Sequence, residues 1–150
     1  MSVVSAAVFG VHLIFAALWS GTVLFTTYAV LPTALNGDAS PGPLAAITRK
    51  LKLVSRASAL LLLLTGGHLA ATYYTAETLT GSGPGHLVLT MLVLWFVLAG
   101  LVEVAASKLS EGFAQQKLRE PAREARPFML GASAVAVLLL LDAGALLGLY

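Results

Sequence analysis

The chain has 150 residues, 58% of them hydrophobic and 11% charged, with a formal net charge of +2 and no cysteine. A soluble domain carries charge on about a quarter of its residues, so this composition excludes an ordinary water-soluble fold and points to a small integral membrane protein. The missing cysteine excludes disulfides, thiolate metal sites and haem attachment through a Cys pair.

The first predicted helix covers about 3–31 and ends at Pro32. It carries no formal charge and is long enough to cross a bilayer at ~1.5 Å rise per residue. It is too long for a signal-peptide core and lacks a preceding basic stretch, so it reads as a retained span. Within it sits His12. An ionisable side chain at membrane depth is costly and faces protein or water rather than lipid. Ser5, His12, Trp19 and Thr26 recur every seven residues and share one face, the expected inward face of a bundle.

A turn-rich stretch with two prolines and two glycines follows, then a basic amphipathic segment over 44–53 that suits an interfacial helix or an extension of the second span. The second helix is predicted over 55–75 and contains His68, with Tyr73 and Tyr74 at a membrane–water boundary. A polar, glycine-rich loop leads to the third helix, 86–109, which opens on His86 and carries Glu103 near its far end, within reach of Arg56. A hydrophilic basic segment precedes the fourth helix, 127–150, where Asp142 interrupts the apolar run. The expectation is one domain over 1–150: an all-α, four-transmembrane-helix bundle. Arg49, Lys50, Lys52, Lys108, Lys117, Arg119, Arg123 and Arg126 fall in the first and third connections and none in the second. The positive-inside rule then predicts both termini to be extracytoplasmic, in a multi-pass protein of the cytoplasmic membrane. The basic residues fit this topology and predict no nucleic-acid partner.

Counted from the extracytoplasmic helix ends, His12, His68 and Asp142 all lie ~11–13 Å deep. Two imidazoles and a carboxylate at one level, on three helices, are the pattern a buried cofactor or metal site needs. Neutral imidazoles can ligate a haem iron; His12, His68 and Asp142 together can ligate copper or zinc. Each also has a plain reading: His12 and His68 as helix–helix hydrogen-bonding residues, Asp142 as their partner, His86 as a helix-start residue, Trp19 and Trp95 as packing. Ser5 has nothing beside it to activate a nucleophile.

The stretch VHLIFAALWSGTVLFTTYAVLP, with His12, Trp19, Gly21 and Pro32, resembles the first helix of the CopD-like (copper-resistance D domain) membrane proteins, which in turn resemble protoporphyrinogen oxidase of the HemJ type. The likeness continues through RKLKLVSRASALLLLLTGG and GPGHLVLTMLVLWFVLAG, covering three helices. The HemJ-type lysine that follows the third-helix histidine is replaced here by apolar residues and Thr90. The resemblance implies a small bundle with His12 as a b-type haem or metal ligand. The leading expectation is a b-type haem held by His12 with His68, or with His86 on the third helix, Trp19 and Trp95 near the ring, and Asp142 or Thr65 behind a ligand. Helices in contact are ~8–10 Å apart, so a haem between the first two requires that they splay or that a homodimer share it. Its role would be redox or electron transfer, with a quinone or an extracytoplasmic redox protein as partner. The alternatives are copper handling, with His12, His68 and Asp142 on the ion, and a structural membrane subunit without cofactor.

Overall fold

A computed structural model describes residues 2–149, and they contain helices and turns but no strand. The first span is α1 (Val3–Phe25), a widened π turn (Thr26–Val30) and α2 (Leu31–Asn36) in unbroken succession. The others are α3 (Pro41–Tyr73), α5 (Gly83–Ala114) and α6 (Arg119–Gly148), with the short α4 (Ala76–Gly81) between α3 and α5. All four spans are long and apolar enough to cross a membrane.

Several boundaries depart from the sequence expectation: the loop after the second span contains α4, and α5 covers Gly83–Ala114 rather than 86–109. Pro32 does not end the first helix. It lacks an N–H for the Tyr28 carbonyl and its ring crowds that oxygen; the turn before it widens, with the Leu31 N–H reaching back to Thr26 O. Thr26 and Thr27 hydroxyls donate to Thr22 O and Val23 O, each at 2.8 Å, holding the carbonyls of the preceding turn. The helix stops only at Gly37, whose φ of +80° makes it the left-handed C-cap. The Arg119 guanidinium covers this end, donating to Asn36 O at 3.1 Å. Of the two readings of 44–53, the extension of the second span holds and the separate interfacial helix does not: α3 starts at Pro41 and runs through it. Its buried residues Leu44, Thr48, Leu51, Ser55, Ser58 and Leu62 alternate in steps of four and three, one continuous seam. The final boundary is α6, which begins at Arg119 and carries Pro127 within it.

The spans run antiparallel, so both ends of the chain lie at one end of the bundle, the terminal end, and the 37–40 and 115–118 turns at the other. Trp19 on α1 donates its indole N–H to Ser55 Oγ on α3 at 2.8 Å. Trp95 on α5 donates to Ala59 O on α3 at 3.1 Å. Arg56 on α3 makes a forked contact with Glu103 on α5, 2.5 and 3.2 Å, the pairing expected from sequence. Ser133 on α6 donates to Thr27 Oγ1 at 2.8 Å, and Thr27 in turn approaches Met129 O at 3.2 Å. The helices thus form a ring in the order α1, α3, α5, α6, closed by α1 against α6.

Packing differs along the bundle axis. The buried apolar side chain nearest the terminal end is Trp19 on α1, Leu62 on α3, Leu98 on α5 and Ala136 on α6. These four mark, helix by helix, where enclosed packing gives way. Every other buried apolar side chain lies between these four and the turns, among them Val23, Leu51, Val102, Leu109, Phe113 and Met129. Beyond them, toward the terminal end, side chains continuing the same seams, such as Phe15, Leu69, Leu94, Leu139 and Ala143, are only half-buried. Ser5 and Gly85 are the buried residues there.

Helix length accounts for the part of this contrast nearest the turns. The 33 residues of α3 extend ~50 Å against a hydrocarbon core of ~30 Å. All nine Lys and Arg residues lie at Arg56 or further toward the turns, so that end projects beyond the hydrocarbon. There, in water, apolar burial drives the helices together. Within lipid that drive is absent, and association rests on packing and interhelical hydrogen bonds.

Candidate functional site

His12 and Asp142 lie in the loosely packed terminal half. His12 is two turns, ~10 Å, above Trp19, and Asp142 is six residues, ~9 Å, above Ala136. Both are half-buried. His68 is six residues, ~9 Å, beyond Leu62. Direction around each helix is what separates them.

His12 points into the α1–α3 contact. Its Nδ1 is 2.7 Å from Thr65 Oγ1. The Thr65 hydroxyl itself donates to Leu61 O at 2.6 Å, with a longer approach to Leu62 O at 3.4 Å. Gly66 admits the ring: a Cβ at that position would lie 3.1 Å from His12 Cε1. A polar contact of this kind is what holds two helices together in an apolar medium.

His68 does not face His12. At ~100° per residue it lies about 110° around α3 from the direction midway between Thr65 and Gly66, and its side chain is exposed on the lipid-side surface. The Thr72 hydroxyl donates to its backbone carbonyl at 2.7 Å. His86 is exposed at the start of α5, where Nε2 meets Thr80 O at 2.8 Å. A carbonyl can only accept, so that nitrogen is a donor and is committed to closing the α4–α5 turn. Asp142 Oδ2 is shielded and has no hydrogen-bond partner among the described residues.

The three residues proposed to share a metal, His12, His68 and Asp142, are not brought together: among the described residues no group of three or more His, Cys, Asp or Glu side chains is placed to hold a metal ion. The tryptophans have other work. Trp19 is 1% exposed and its N–H is spent on Ser55, which makes it part of the enclosed packing beneath His12. Trp95 is half-buried, with its N–H on Ala59 O and its ring edge-on to Phe96 at 4.6 Å. Ser5 Oγ is 2.9 Å from Ser2 Oγ, a helix-start contact.

A haem with two axial histidines from one chain therefore does not fit: His68 and His86 are turned away, and the α1–α3 contact beside His12 is closed by Thr65 and Gly66. A haem with one axial imidazole does fit the donor set. His12 commits a single ring nitrogen, its neighbours in the terminal half are only half-buried, and the shielded Asp142 oxygen lacks a hydrogen-bond partner among the described residues. Thr65 was a candidate for the position behind a ligand, and it is the residue that contacts His12. The closeness of Gly66 was legible only as a sign of tight helix packing.

Two clefts lie at the opposite end. One, of about 320 Å³, is lined by Arg49, Ser110, Phe113 and Gln116 among others. The second, about 140 Å³, runs between the Lys108, Lys117, Glu120 and Glu124 side chains, which pair across it. Neither includes a histidine. No family model, curated protein or solved structure matches the chain.

Proposed function

We propose that this chain is a multi-pass protein of the cytoplasmic membrane, termini extracytoplasmic, that holds one b-type haem in the terminal half of its bundle through His12 and serves a redox or electron-transfer step. The observation that carries this reading is the state of His12: an imidazole within an apolar span, one nitrogen tied to Thr65, in the half of the bundle whose side chains are less enclosed. The likeness of the first helix to CopD-like proteins points the same way. Haem is favoured over copper because a porphyrin supplies four of the iron's ligands and asks the protein for one, whereas a copper ion needs two or three side-chain donors gathered together.

When bound, the haem supplies one-electron chemistry at its iron. The chain's own residues do the rest. His12 binds, Thr65 and Gly66 orient its ring, and the enclosed packing that starts at Trp19, Leu62, Leu98 and Ala136 bars water from the charged end. A quinone in the membrane or a redox protein at the extracytoplasmic face reaches the site through the terminal end.

The test is an absorption spectrum of the detergent-purified, haem-reconstituted protein. A Soret band with sharp reduced α and β bands is expected, lost in His12→Ala and kept in His68→Ala and His86→Ala. Protein that stays colourless after reconstitution, or a spectrum unchanged by His12→Ala, overturns the proposal.

A further inference from the structure

We infer that Thr65 is a positioning residue that fixes the tautomer of His12, so that the bare, ligand-ready nitrogen is Nε2. One proton decides the tautomer. A threonine hydroxyl has one hydrogen and two lone pairs. Thr65 places that hydrogen on Leu61 O at 2.6 Å, sharing it weakly with Leu62 O at 3.4 Å. Both are carbonyl oxygens, which cannot donate. Toward His12 the hydroxyl therefore offers only a lone pair, and the proton in the 2.7 Å contact belongs to His12 Nδ1. A neutral imidazole carries one N–H, so Nε2 is left with its lone pair.

The helix itself supplies the polarity of this chain. Thr65 back-bonds to the carbonyl one turn earlier, a habit of threonine in apolar helices, and that carbonyl has no other use for the hydroxyl than as a donor. The sense of the relay is thus set by the α3 backbone and runs one way only. In free histidine the Nε2–H form is the commoner, so the relay selects against the default.

Ring placement agrees with the assignment. Cε1, the carbon between the two nitrogens, rests against Gly66, 3.1 Å from where a Cβ would stand. Nδ1 and Cε1 are thereby both engaged with α3, and Nε2 is the ring nitrogen with no hydrogen-bond partner among the described residues. Donating Nδ1–H to a fixed acceptor also raises the basicity of the opposite nitrogen and holds the ring's orientation. The ligand class follows: a Lewis acid that asks for a single neutral nitrogen donor, or a hydrogen-bond donor, and not a second carboxylate or carbonyl.

The consequence for the cofactor rests on the haem reading above; the tautomer does not, and the two can fail separately. The experiment is nitrogen NMR of the haem-free protein in detergent, labelled with ¹⁵N-histidine and assigned with His12→Ala. Wild type is expected to show His12 with a protonated Nδ1 and a bare Nε2. Thr65→Ser, which keeps the hydroxyl, is expected to preserve that pattern, and Thr65→Val, of nearly the same shape, to shift His12 toward the Nε2–H form. Wild-type His12 found as Nε2–H or as imidazolium, or a Thr65→Val pattern identical to wild type, overturns the inference whatever the haem spectrum shows. On the haem-loaded protein, Thr65→Val is expected to weaken haem retention about tenfold, as removal of a residue behind a metal ligand commonly does, with Thr65→Ser restoring it. Equal retention in the valine and wild-type proteins speaks against the positioning role.

Discussion

The two halves of this bundle are built from the same four helices yet solve different problems. From Trp19 and its counterparts to the turns, side chains such as Leu98, Val102 and Met129 are almost wholly enclosed. From there to the terminal end, the same seams continue but their occupants are half-open. The closed half includes the charged stretch from Arg56 to the turns, where burying apolar surface from water is favourable. The open half lies in lipid, where a leucine gains little by leaving hydrocarbon for protein. There the contacts that join helices are polar and few, His12 with Thr65 chief among them. Loose packing in lipid is thus the ordinary condition, and a polar contact such as His12 with Thr65 carries more of the helix pairing there.

If the halves differ in this way, matched substitutions should separate them. The largest difference is expected from truncating leucines. Leu98→Ala in the closed half should cost ~2–5 kcal/mol, the range for a cavity in a packed core. Leu146→Ala, half-buried in the open half, should cost well under ~1 kcal/mol. Denaturation of both variants in the same detergent reads the difference, and equal costs would erase the distinction.

Added methyl groups sharpen it further. A Cβ on Gly112 would stand 2.2 Å from Pro121 Cβ, where α5 meets α6 near the turn. Gly112→Ala is therefore expected to lose ~1–3 kcal/mol to overpacking. Gly144 has nothing within 4 Å of its Cβ position, and Gly144→Ala is expected to gain ~0.5–1 kcal/mol from helix propensity. Opposite signs in thermal unfolding are the outcome to look for.

The smallest effect should come from Ser58. It is fully enclosed in the α3 seam and its hydroxyl has no partner among the described residues. Replacing a lone buried hydroxyl by a methyl group removes an unpaid desolvation, so Ser58→Ala should be neutral or raise the unfolding temperature slightly. A clear loss of stability would mean that this hydroxyl is bonded after all.

Much of the architecture could be read from the chain. Four apolar runs gave four spans, and charge spacing anticipated the Arg56–Glu103 pair. The length of α3 was harder to see because Thr48, Ser55 and Ser58 hold seam positions. A seam with small polar members does not register as hydrophobic, although its four–three spacing is regular. The site was half legible. Depth in sequence follows from counting residues, so the placement of His12, His68 and Asp142 in the terminal half was available in advance. Facing does not: each residue turns the helix ~100°, and a small error in phase decides whether an imidazole looks inward or at lipid. His68 fell on the wrong side of that decision. The tryptophans were ambiguous for another reason: an indole stacks on a flat ring or anchors a neighbouring helix with equal ease, and only the acceptors Ser55 Oγ and Ala59 O distinguish the two.

The widened turn at Thr26–Val30 has a bearing on how one rod serves both media. Up to Thr26 the inward stripe keeps a seven-residue rhythm from Ser5; after it the rhythm restarts one position later, at Thr27, Leu31 and Ala34, all buried. The extra residue wound into the turn resets the phase, so the projecting tip α2 meets α6. Wound as plain α-helix with no residue lost, this stretch would swing Leu31 and Ala34 by about 100° out of their seats, whereas deleting one residue there would let a uniform helix keep them in place. Alignment of the long shaft with its far tip hangs on that one wide turn.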